Sequence, residues 1–168
     1  VSTYNVRTTV ALITAGFLVL VAATVGVVWA QVRNAEPHDP EITAYAHGTT
    51  VTVPPFMYCT VQMQDCRYGE TVSLEVPAEY PLQLSLPDQV VDAPWQMQQI
   101  YVLPSGDEIG RAIDHTAFPE GTRAITVQSR PEPDLRLIGV ELQLPILAID
   151  ETGREFTVPH AVWSIKTA

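Results

Sequence analysis

Between Arg7 and Arg33 the chain has no charged residue at all. That gap excludes a solvated surface helix, whose outer face needs charge. An export signal has an apolar core of roughly 7 to 15 residues, whereas a spanning helix needs about 20. The run from Val10 to Val32 has the second length. Val28 and Ala30 form a weak small-residue cleavage motif before Gln31, which is the competing export-signal reading. No cysteine stands near the end of the run, so a lipoprotein anchor is not expected.

Basic residues are also scarce, with nine Lys and Arg against 19 Asp and Glu. Every acidic residue lies after Arg33, where only seven basic residues follow, so that portion carries a net charge of −12. Such a surface is unsuited to nucleic acid or to adsorption on anionic lipid, both of which require basic patches. It suits solubility, or a cationic extracytoplasmic domain as partner.

There are only two cysteines, Cys59 and Cys66. The positive-inside count is a tie between Arg7 and Arg33, so the cysteines decide orientation: an even pair fits an oxidising compartment. The expected order is a short cytoplasmic N-terminus (1–9), a transmembrane helix (10–32), a polar linker (33–41) and one extracytoplasmic domain (42–168) in a single-pass cell-membrane protein.

All seven Ala and Gly residues of the span, Ala11, Ala15, Gly16, Ala22, Ala23, Gly26 and Ala30, fall within a sector of about 140° on a helical wheel. Small residues allow close approach of another helix, and Ala22, Gly26 and Ala30 make two small-xxx-small steps. This face is the expected packing surface for integral membrane partners.

Fourteen prolines exclude long helices after the span. The apolar residues there recur with period 2: Val72, Leu74 and Val76 in "TVSLEVP", Leu82, Leu84 and Leu86 in "PLQLSLP", Val140, Leu142 and Leu144 in "VELQLP". Gly48 and Gly153 mark turns between strand-like segments, and "PSGDEIG" marks another. Seven to nine short strands predict a mainly β fold, an immunoglobulin-like two-sheet sandwich, with Trp95 and Trp163 in its core. Cysteines only seven positions apart are not the inter-sheet bridge of antibody domains, so that likeness is architectural.

The stretch "FMYCTVQMQDC" gathers Met57, Cys59, Met63 and Cys66. Soft sulfur suits copper, but a blue-copper site also needs nearby histidine, and none lies between His47 and His115. A redox pair normally has two intervening residues, and here there are six. A local structural disulfide between Cys59 and Cys66 is the expectation, with no metal and no cofactor. His38, His47, His115 and His160 are scattered, and Asp114 with His115 lacks a recognisable nucleophile beside it. The chain has no Gly-x-Ser-x-Gly and no Gly-rich phosphate loop. No enzymatic activity is expected.

The phrases "EITAYAHGTTVTVPPFMYC", "LQLSLPDQVVDAPWQMQQIYV", "GVELQLP" and "VPHAVWSIKT" resemble the uncharacterised actinobacterial family designated domain of unknown function 2771. The resemblance covers nearly all of the exported portion and implies an exported or membrane-anchored envelope protein. It brings no site residues. The expected function is a non-catalytic accessory subunit of a multi-subunit envelope complex, with the respiratory cytochrome bc-oxidase supercomplex as first candidate. The alternative is a tethered module binding an envelope lipid, peptide or glycan.

Overall fold

The computed structural model describes residues 6–34 and 38–167. Two compact units divide the chain between His38 and Asp39.

The first unit holds α1 (Val6–Asn34), of which Thr8–Arg33 is long and apolar enough to cross a membrane, with a mean hydropathy of 2.5. It begins before the expected boundary at residue 10 and runs on through Arg33 and Asn34, neither of which breaks a helix. The linker therefore starts later than residue 33, and its residues 35–37 lie outside the described residues, as does most of the expected N-terminal segment. Within the helix, the Thr14 and Thr24 hydroxyls donate to the Val10 and Leu20 carbonyls at 2.9 and 3.0 Å. In hydrocarbon these hydroxyls have no water to turn to, and the back-bonds satisfy them.

The second unit is a two-sheet sandwich. In chain order its strands are β1 (Ile42–Ala46), β2 (Thr49–Val53), β3 (Met57–Tyr58), β4 (Arg67–Tyr68), β5 (Val72–Ser73), β6 (Leu82–Ser85), β7 (Gln96–Val102), β8 (Glu108–Asp114), β9 (Ala124–Val127), β10 (Arg136–Ile149) and β11 (Glu155–Lys166). One sheet has the order β2-β1-β6-β9, and the other β4-β3-β11-β10-β7-β8, with β5 pairing parallel to β11. The strands outnumber the seven to nine expected because β3, β4 and β5 are two-residue pieces, too short to show a period.

The alternating residues fill the space between the sheets. Leu82 and Leu84 face inward from one sheet, Leu142, Trp163 and Ile165 from the other, and all are buried in one cluster. Trp95 and Trp163 are among the largest fully buried side chains. The Trp163 indole N–H donates to the Pro40 carbonyl at 2.8 Å, so its polar edge is satisfied in the core. Between Leu137 and Gly139 a bulge adds one residue to β10. Because side chains alternate with period 2, that insertion lets both Leu137 and the series Val140, Leu142, Leu144 point inward. Turns agree with the glycine signals: Gly48 and Gly153 have φ of 85° and 80°. The immunoglobulin-like likeness extends to the two layers.

Candidate functional site

β10 and β11 form a hairpin longer than the sandwich that holds it. Pairing of β7 with β10 ends at Gln96 and Gln143, and pairing of β3 with β11 ends at Tyr58 and Ala161. Just beyond, Pro145 pairs with Pro159 after a register shift. Neither proline has an N–H to donate, so the ladder is weakest where the hairpin leaves its neighbours. The remaining arm, Ile146–Ile149 against Glu155–Val158, has no strand on either side among the described residues.

The arm is nevertheless apolar. Leu147 and Ile149 are each 65% exposed and Phe156 45%. Its tip is well tied: Asp150 Oδ1 accepts from the backbone N–H groups of Thr152 and Arg154 at 2.8 and 2.9 Å, and Oδ2 accepts from Arg154 Nε at 3.2 Å. The Thr152 hydroxyl and these further donors hold the Asp150 carboxyl down at about 2.

Cys59 and Cys66 are joined in a disulfide, closing a loop at the root of this arm. The Cys59 N–H donates to the His160 carbonyl at 2.7 Å. His160 Nδ1 lies 3.1 Å from the Cys59 carbonyl, where the Nδ1–H tautomer donates. Inside the loop, Thr60 is tied to Gln64 and Met63 to Thr60 by backbone bonds of 2.9 and 2.8 Å. Met63 and Asp65 take φ of 57° and 50°, which non-glycine residues adopt at a cost. The loop turns Val61 and Met63 outward. Five apolar side chains therefore stand exposed on two adjoining, covalently or hydrogen-bond braced elements.

The remaining candidates are dispersed. His47 lies against Tyr80, His115 against Trp95 and His160 against Tyr58, with ring centroids 4.0, 6.4 and 6.3 Å apart. No group of three or more potential metal-ligating residues occurs among the described residues. Asp114 is a turn residue: its carboxylate accepts from the Thr116 N–H at 2.9 Å, and hydrogen bonds from Thr116 lower its pKa. Met57 is in β3 beside Tyr68, away from any cluster of ligands.

On α1 the small residues Ala11, Ala15, Gly16, Ala22, Ala23, Gly26 and Ala30 are all exposed, as are the large apolar residues opposite them. A Cβ added at Gly16 or Gly26 meets nothing within 4 Å. Arg33 lies over the Trp29 ring at 4.6 Å, a cation–π contact at the end of the helix.

Sequence reasoning missed the arm and Val61, and read Met63 only as a sulfur beside Cys59 and Cys66. A signal was present: "PILAI" abandons the alternation of "VELQLP" and runs four apolar residues together. A strand apolar on both faces needs cover on both faces, and here the fold half-buries Ile146 and Ala148 and leaves Leu147 and Ile149 open.

The sequence profile of the family described as "Protein of unknown function (DUF2771)" matches residues 35–168. Uncharacterized proteins of Mycobacterium tuberculosis and Mycobacterium bovis are each 38% identical to the chain over 152 residues, covering 89% of it and 90% of their own length. No solved structure matches.

Proposed function

The chain belongs to the DUF2771 family, and from its own surface we propose that it is a non-catalytic accessory subunit of a multi-subunit membrane complex in the cell envelope. In this reading α1 spans the cell membrane with the N-terminus in the cytoplasm, and the sandwich docks on the extracytoplasmic part of a neighbouring subunit. The observation that carries it is the arm: Leu147, Ile149 and Phe156 are presented on a braced hairpin that no part of the sandwich covers. Exposed apolar residues of this kind, Leu147 and Ile149 on one face of the arm and Phe156 on the other, mark interaction surfaces. Their burial by a partner is worth roughly 1.5–3 kcal/mol for each side chain fully covered, before association costs. The helix supplies the second contact, through the face of Ala22, Gly26 and Ala30. The respiratory cytochrome bc-oxidase supercomplex is the first assembly to examine, and a cationic extracytoplasmic domain within it suits the acidic sandwich.

The test is extraction in mild detergent with a C-terminal tag, followed by mass spectrometry and haem absorbance. Stoichiometric recovery of other membrane subunits is expected, with haem if the supercomplex is the host. Recovery of the chain alone, under conditions that keep known complexes whole, contradicts the proposal. Gly26→Leu separates the two contacts: nothing inside the chain opposes the added side chain, so a weakened association reports a partner helix.

A further inference from the structure

At the opposite end of β10 and β11 from the arm lies a cleft of about 460 Å³. The segment after β5 forms one wall, running alongside β11 with the Leu74 N–H donating to the Lys166 carbonyl at 2.9 Å and the Val76 N–H to the Thr167 carbonyl at 3.2 Å. Leu74, Val76 and Leu137 form its apolar floor, all buried. Arg136 and Lys166 stand at its mouth, with Glu75. A second cleft of about 450 Å³ adjoins it at Ala78 and Arg136. Leu103, Pro104 and Leu135 line that one, and Arg130 and Asp134 border it.

The charges sort in an uneven way. Of the seven basic residues in the sandwich, Arg67 pairs with Asp39, Arg111 with Glu132, Arg123 with Asp88, Arg130 with Glu79 at 4.0 Å, and Arg154 with Asp150. Only Arg136 and Lys166 have no ion pair among the described residues, and both line the same cleft. In a domain of net charge −12, the two cations that pair with no carboxylate among the described residues line one apolar cleft, a local positive site that the overall charge conceals.

We propose that this double cleft binds an amphiphile whose phosphodiester head carries no cation of its own, the head held by Arg136 and Lys166 and the tail laid along Leu103, Pro104 and Leu135. Arginine offers a planar fork to two phosphate oxygens and lysine a mobile point charge. With Glu75 at the same mouth, the two cations leave one positive charge, which matches the single negative charge of a phosphodiester. The acidic surface opposes adsorption on an anionic bilayer, whereas a cleft that takes one molecule needs only the local charge. The site stands whether or not the chain is a subunit of a larger complex.

The test uses the full chain in a non-ionic detergent, with amide shifts of residues 73–78, 103–106, 135–138 and 166–167 followed by nuclear magnetic resonance. The probes are dihexanoyl phosphatidylglycerol, dihexanoyl phosphatidylcholine and glycerophosphoglycerol, the deacylated phosphodiester head. Saturable shifts in these segments with the phosphatidylglycerol are expected. The head-only glycerophosphoglycerol should bind at least about tenfold more weakly, for want of the tail, and the zwitterionic lipid should give no saturable shift. Arg136→Ala with Lys166→Ala should weaken binding about 10- to 100-fold, while Glu75→Gln should tighten it about two- to threefold. The Glu75→Gln arm guards against misfolding, because a damaged domain does not gain affinity. Equal binding of glycerophosphoglycerol and phosphatidylglycerol overturns the amphiphile and leaves a free-anion site. Shifts unchanged in the double variant, or absent throughout, overturn the site.

Discussion

The inner and outer halves of one hairpin have opposite surroundings. In the inner half of β10 and β11, strands lie on both flanks, and Leu142, Leu144, Ala161 and Trp163 are buried between the sheets. In the outer half, beyond Pro145 and Pro159, the same two strands continue their pairing with no flanking strand and with Leu147, Ile149 and Phe156 exposed. Composition does not separate them, since both are rich in Leu and Ile. What separates them is cover. Apolar residues in the inner half stabilise the fold. Those in the outer half stand exposed, and the proposed docking is what would cover them.

That contrast can be broken by substitution. Trp163→Ala should cost about 3–5 kcal/mol, as a large side chain is removed from a packed interior and the Trp163–Pro40 hydrogen bond is lost. Urea unfolding of the full chain in micelles, followed by far-ultraviolet circular dichroism, measures it. Leu142→Ala should cost about 2–5 kcal/mol in the same assay. Replacing Cys59 and Cys66 together by Ser should cost about 2 kcal/mol, because the loop closed is short. Leu147→Ala, five positions along the same strand from Leu142, should change stability by no more than about 0.5 kcal/mol. If Leu147→Ala destabilises as much as Leu142→Ala, the arm belongs to the core and the contrast fails.

The smallest effect lies at the tip. Hydrogen bonds hold the Asp150 carboxyl down at about 2, below its ordinary value of 3.8. A carboxyl lowered on folding lends support that is complete above its unfolded value and disappears as pH falls through the folded one. The amides of Thr152 and Arg154 should therefore stay protected from hydrogen exchange above pH 4 and lose protection toward pH 2. Asp150→Asn should weaken that protection at neutral pH without moving the urea midpoint. An unchanged exchange pattern would show that the turn is held by its backbone bonds alone.

The layers of this fold were legible in the sequence because burial on one face writes period 2 into "TVSLEVP", "PLQLSLP" and "VELQLP". Its smaller pieces were not. β3 is held by pairing to β11, β4 by pairing to β3, and the Cys59–Cys66 bridge closes the loop between them, and two residues cannot carry a period. Cys59 and Cys66 themselves were readable as a local clamp from spacing. Leu147, Ile149 and Phe156 read as ordinary strand residues, since whether a strand has a neighbour depends on where distant segments go. Arg136 and Lys166 were equally silent. A cation without a partner is visible only once every carboxylate has been placed.

The decisive comparison is the mild-detergent extraction repeated with Leu147→Ser, Ile149→Ser and Phe156→Ser combined. If the arm is a docking device, the wild-type chain retains its partner subunits while the triple variant loses them, and the urea midpoint stays where it was. Full retention of the partners by a normally stable triple variant, or a midpoint lowered as far as Leu142→Ala lowers it, would contradict that role.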